Sequence, residues 1–113
     1  MDIMNIAVEL GKAIANSTEL TEYRKLEQEV EDDDRARELF SEYRKLQADL
    51  AGAQYKGEPP ETIEEYRKKL LAKYEEIETY DTTKRFLAAK ARFDRLMKNI
   101  NSVISFFVTG ETS

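Results

Sequence analysis

Residues 82–107 read TTKRFLAAKARFDRLMKNINSVISFF, and the spacing of apolar side chains in this stretch decides the fold. Phe86, Phe93, Ile100 and Phe107 recur every seven residues. Ala89, Leu96 and Val103 make a second row, and Met97 and Ile104 widen the stripe. Such a repeat is the mark of an α-helix that packs on other helices at a shallow angle. At ~1.5 Å per residue this helix is roughly 39 Å long. Asp81 stands where its N-cap is expected.

The same reading upstream yields four more helices. The first runs from about Ile3 to Ala15, with Ile3, Ala7, Leu10 and Ile14 on one face. Asn16-Ser17-Thr18 stops it and supplies hydroxyls to cap the second, which carries Leu20, Tyr23, Leu26 and Val30. Asp33 or Asp34 can cap a third helix, although the second and third could also run on as one. The third repeats every seven residues, with Ala36, Tyr43 and Leu50 in one row and Leu39, Leu46 and Ala53 in another. Gly57 followed by Pro59-Pro60 ends it. Thr62-Ile63-Glu64-Glu65 has capping-box spacing, and Ile63, Tyr66, Leu70, Tyr74 and Ile77 stripe the fourth helix. Glu64/Lys68 and Glu65/Lys69 are placed to pair along its outer face. Short connections after the third and fourth helices predict antiparallel neighbours. The expected fold is all-α, an antiparallel bundle of about five helices in a single domain over 1–113.

Composition narrows the chemistry. The 113 residues include no His and no Cys. Their absence removes Ser-His-Asp and Cys-His nucleophilic sites, zinc fingers, thiolate-held clusters and disulfides. Asp32-Asp33-Asp34 lacks the alternation and central Gly of a calcium loop, so these acids read as helix caps and solvated groups. There is no Gly-rich phosphate loop, and Ser41, Ser102 and Ser105 have no evident base. No catalytic, metal or cofactor site is expected. Met1-Asp2-Ile3 lacks the basic start of a signal peptide, and no apolar run approaches 18 residues, so a soluble cytoplasmic protein with no membrane contact is expected.

Charge points to partners instead. Lys plus Arg number 18 and Asp plus Glu 23, a net charge of −5, which disfavours non-specific coating of nucleic acid. Glu27 to Glu42 holds eight acids and two bases, whereas Thr83 to Val108 holds six bases and one acid. Val103-Ile104-Ser105-Phe106-Phe107-Val108 is apolar on more than one face. Burying one such aromatic is worth roughly 1.5–3 kcal/mol. Self-association, or docking on a partner, is therefore expected through Phe86, Phe93, Met97, Ile100, Ile104, Phe106 and Phe107. Lys84, Arg85, Arg92 and Arg95 are the flanking charged candidates. Two alternatives stand beside this: the first helix folds over the apolar end within the monomer, or the basic helix binds RNA with Phe86 and Phe93 stacking on bases. Glu-Tyr-Arg-Lys occurs three times, from Glu22, Glu42 and Glu65, at uneven offsets. It reads as one packing solution used three times, Tyr on the buried stripe and Arg-Lys along its edge.

The order of features also resembles a known family. A short first helix is followed by Ser17-Thr18-Glu19-Leu20-Thr21-Glu22-Tyr23, an acid-rich stretch, then Ala36-Arg37-Glu38-Leu39-Phe40. Tyr43-Arg44-Lys45-Leu46-Gln47-Ala48-Asp49-Leu50, a loop at Gly57, Ile100-Asn101-Ser102-Val103-Ile104 and Thr109-Gly110-Glu111 complete it. This resembles the bacterial YlbF/YmcA family, which includes YheA-like proteins. The resemblance implies an all-helical, non-enzymatic regulator that often dimerises. With sibling helical regulators it would assist ribonuclease Y in mRNA processing and so influence competence, sporulation and biofilm formation. Iron–sulfur clusters linked to such complexes do not carry over, because no Cys is present. The family's Asn-Pro before the last helix is replaced by Tyr80-Asp81-Thr82-Thr83.

Overall fold

The structure of the protein, a computed structural model, describes residues 2–110; Met1 and Glu111 of the terminal Thr-Gly-Glu lie outside them. Five helices hold nearly all of these residues, with no strand among them: α1 (Ile3–Ala15), α2 (Thr18–Glu31), α3 (Asp34–Tyr55), α4 (Pro60–Thr79) and α5 (Asp81–Thr109). Packing gathers into two units. One comprises 2–27 and 86–110 of the described residues, the other Gln28–Arg85. The division falls inside α2 and inside α5, so each of these helices serves both.

Polar side chains set the helix ends. The Asp2 carboxylate accepts from the Met4 amide at 3.3 Å and starts α1. Ser17 works both ways: its hydroxyl donates to the Ile14 carbonyl at 2.7 Å and accepts from the Leu20 amide at 3.2 Å. Two of the free polar groups that any helix terminus leaves are thus satisfied by one residue. The break between α2 and α3 is real. Asp33 is extended (φ −111°, ψ 107°), and its carboxylate accepts from the Ala36 amide at 3.0 Å. Gly57 takes φ 67°, and the Glu58 amide closes on the Ala53 carbonyl at 3.0 Å to end α3.

Two starts differ from the sequence expectation. Helix α4 begins at Pro60, with Pro59 at the N-cap and no side-chain cap, so Thr62 lies within the first turn and makes no capping box. Pro60 is preset for the first helical position, where its missing N–H costs nothing, and this starts the helix three residues earlier. Helix α5 includes Asp81 in its first turn. Tyr80, with ψ 128°, is the extended residue before it, and Asp81 turns to accept from Arg85 Nε at 3.0 Å. The expected pairs Glu64/Lys68 and Glu65/Lys69 are not among the salt bridges of the described residues; Lys69 Nζ lies 5.8 Å from the Tyr66 ring instead. Exposed pairs gain too little in water to hold two long side chains together.

In the unit 28–85, α3 and α4 form an antiparallel hairpin. Its register is fixed by cross-helix partners whose numbers rise on one side and fall on the other, Asp33 with Tyr80, Arg35 with Glu76 and Glu42 with Lys73, and the Tyr43 and Tyr74 rings meet beside the last of these. Ala36, Leu39, Ala53 and Ile77 are buried along the seam, the alanines letting the backbones approach. Among the described residues α3 and α4 are the helices that pair along their length, and α4 passes into the first turn of α5 through Tyr80 alone. Thr83 is fully buried at that junction, its hydroxyl donating to the Ile77 carbonyl at 2.5 Å.

In the other unit, Tyr23 of α2 meets Phe86 and Phe93 of α5 edge-on, with ring centroids 5.6 and 5.7 Å away. Such T-shaped contacts place a ring's positive edge on a negative face. Leu26 and Ala89 are buried in the same unit. The Tyr of every Glu-Tyr-Arg-Lys string is half-buried and the Arg-Lys after it exposed, as one repeated packing solution requires.

Replacing Leu39 by Ala empties a closed seam, and a loss of about 2–5 kcal/mol is expected in urea unfolding. Gly52 sits inside α3 with open space where a Cβ would go, so Gly52→Ala should add about 0.5–1 kcal/mol. Gly57→Ala, at φ 67°, should lower stability in the same assay.

Candidate interaction surfaces

The residues singled out in the sequence divide into three groups. Phe86 and Phe93 are half-buried against Tyr23, so the two aromatics that an RNA-stacking reading requires are turned onto the protein's own α2. Met97 and Ile100 are also half-buried. Ile104 and Phe106 are each 46% exposed, Phe107 is 81% exposed, and Val103 and Val108 extend the same end of α5. Phe106 and Phe107 touch edge to face, with centroids 5.4 Å apart. No charged residue occurs from Asn99 to Gly110.

The first helix does not cover this end. No residue of α1 is buried, and Ile3, Met4, Ile6 and Val8 are about half exposed or more. The arrangement in which α1 encloses the end of α5 within one subunit is therefore not adopted. This exposure of α1 was the largest feature missing from the sequence reading. A signal for it existed: Met4, Ile6 and Val8 lie off the Ile3-Ala7-Leu10-Ile14 stripe, so one contact face could never hide them all. A smaller apolar groove, also not foreseen, lies on the α3–α4 hairpin. It has a volume of about 220 Å³ and is lined by Tyr43, Arg67, Leu70, Leu71 and Tyr74.

The charged residues separate just as clearly. Four of the eight acids in the acid-rich stretch are paired with bases inside the unit 28–85. Glu29 accepts from Arg85 at 3.0 Å, and Asp34 pairs with Arg37. Glu38 accepts from Arg35 at 2.6 Å, and Glu42 accepts from Lys73 at 2.5 Å. Lys73, mostly shielded, also meets Glu76 at 2.7 Å. Its hydrogen bonds to Glu42 and then Glu76 raise its pKa, and the bond to Lys73 holds the Glu42 carboxyl below its ordinary value. Arg85 is raised by Glu29 and Asp81. Lys84, Arg92 and Arg95, in contrast, enter no salt bridge among the described residues.

Asp33 occupies a further polar node. The Ala36 amide and the Tyr80 hydroxyl donate to its carboxylate, and these groups, with the Thr82 hydroxyl, hold its pKa down. Tyr80 is raised in turn, chiefly by that bond to Asp33 and then by burial. Among the described residues no cluster of acidic side chains is placed to hold a metal ion. No helix among them is long and apolar enough to cross a membrane.

The class that these features define is that of small all-α proteins, built of five helices with partly uncovered faces. Residues 3–109 match the profile of the family described as control of competence regulator ComK, YlbF/YmcA, and the chain belongs to that family. It is similar to a UPF0342 protein of Alkalihalophilus pseudofirmus, at 27% identity over 92% of this chain and 86% of the relative. UPF0342 proteins of Halalkalibacterium halodurans and Caldicellulosiruptor bescii are 25% and 23% identical over 92% of this chain and 88% and 86% of their own lengths.

The shifted groups predict a pH profile. Asp33 and Glu42 are depressed, so their stabilisation is complete above the ordinary carboxylate range and is lost as pH falls through it and below. Tyr80 and Lys73 are raised, so theirs is complete below about pH 10 and is lost as pH rises beyond. Thermal melts followed by helical circular dichroism should show a plateau with two falling limbs. Asp33→Asn should flatten part of the acid limb, and Tyr80→Phe part of the alkaline one.

Proposed function

We propose that the protein is a non-enzymatic regulator that acts as an adaptor: it pairs with a second copy through apolar helix faces and presents other faces to partner proteins. One observation carries the reading. The end of α5 leaves Ile104, Phe106 and Phe107 open to water, and the apolar residues of α1 are equally uncovered. Each large apolar side chain left in water forgoes roughly 1.5–3 kcal/mol, so a surface with this many favours a covering chain. The lack of charge from Asn99 to Gly110 lets two copies meet there without like-charge repulsion.

Family membership supports a regulatory role rather than a catalytic one. The resemblance extends the proposal. Acting in the cytoplasm with sibling helical regulators, the protein would assist ribonuclease Y in mRNA processing, and its effects on competence, sporulation and biofilm formation would follow from that. Direct RNA binding is the weaker reading, since Phe86 and Phe93 are engaged by Tyr23.

Sedimentation should show a dimer at micromolar concentration. Ile104→Glu with Phe107→Glu should shift it to monomer by at least tenfold in dissociation constant while helical content stays unchanged. A wild-type monomer at those concentrations overturns the self-association. Affinity purification from the native cell should recover ribonuclease Y and the sibling proteins, and their absence counts against the RNA-processing role.

A further inference from the structure

One exposed face of α5 has no role in the surface described above. Ala88, Ala91, Arg92, Arg95, Lys98 and Asn99 fall at helical spacings of three and four and are all exposed, on the side of the helix opposite Phe86 and Phe93. The face carries three cations and no acid; Asp94 stands beside it but is held by Lys90 at 3.0 Å. Arg92, Arg95 and Lys98 enter no salt bridge among the described residues.

We infer that this face receives an acidic amphipathic helix of a different protein, one with a carboxylate on each successive turn. The inference rests on the adaptor reading and names the partner's chemistry. A second copy fits less well, because four of the eight acids in its own acid-rich stretch, Glu38, Asp34, Glu42 and Glu29, are already bound to Arg35, Arg37, Lys73 and Arg85. A nucleic acid fits less well than a helix. The face offers no aromatic for a base to stack on, and the chain's net charge of −5 opposes a long polyanion. Ala88 and Ala91 leave the middle of the face low, so another helix can approach to within about 8–10 Å. Glutamates spaced three and four apart would then reach Arg92, Arg95 and Lys98, arginine binding carboxylate in a two-pronged fork.

The test uses the full chain and three fluorescent probes. These are a helical peptide of three heptads with Glu on one edge of an Ala/Leu face, the same residues in scrambled order, and a short RNA duplex. The patterned peptide should bind at least tenfold more tightly than the scrambled one and weaken with salt. Amide shifts should be confined to residues 88–99 of α5. Arg92→Glu/Arg95→Glu/Lys98→Glu should lose that binding by tenfold or more. Ala91→Trp, which leaves every charge in place but fills the middle of the face, should lose it as well. Sedimentation of both variants should match wild type, which separates this face from the self-association surface. Equal binding of the two peptides, tighter binding of the RNA duplex, Ala91→Trp binding as wild type, or no saturable binding of the patterned peptide overturns the inference.

Discussion

The Tyr80 hydroxyl donates to both oxygens of the Asp33 carboxylate, at 3.0 and 2.9 Å, and the architecture of the central helices depends on that bond. Each partner sits at a place where the chain changes direction. Asp33 separates α2 from α3 and caps α3; Tyr80 is the only residue between α4 and α5. Linking them sets the register of the α3–α4 hairpin at its open end, opposite the Gly57 loop. Thr83 secures the same corner by satisfying the Ile77 carbonyl in a site closed to water. A carbonyl buried there without a partner would cost about 1–3 kcal/mol.

With the corners held by polar groups, the apolar core can stay thin. Full burial is limited to small and medium residues such as Ala36, Leu39, Ala53, Ile77 and Ala89, while the large aromatics are half-covered or exposed. A thin core leaves much of each helix surface uncovered. A helix hides one stripe against a neighbour, and whatever lies off that stripe remains available. The apolar end of α5, the uncovered α1 and the unpaired cations of α5 are three such remainders, each with a different chemistry.

Much of this was legible beforehand. The seven-residue recurrence from Phe86 to Phe107 identified the longest helix, and Asp33 and Ser17 marked helix starts through their side-chain oxygens. Gly57 was readable as the end of α3, because glycine takes φ 67° without a Cβ clash. The errors were also local in origin. Thr62 and Asp81 are good capping residues, but Pro60 and the extended Tyr80 start their helices sooner, and one start excludes the other. Glu64/Lys68 and Glu65/Lys69 had the spacing for pairing without the shielding that would make pairing worthwhile.

By itself, the sequence determined the all-α class, the helical stretches though not the break between the second and third, the lack of His and Cys chemistry and the opposed charges of its middle and end, because these follow from composition and periodicity within short windows. Only the tertiary structure decided which side chains are spoken for. Phe86 and Phe93 share a heptad row with Phe107, yet Tyr23 reaches the first two and the last stands in water. The acids of residues 27–42 and the bases of α5 look complementary on paper, yet Arg85 alone of those bases meets one of them, Glu29, among the described residues, while Asp34, Glu38 and Glu42 pair with Arg37, Arg35 and Lys73. Burial and pairing depend on groups distant along the chain, and periodicity carries no information about which distant group arrives.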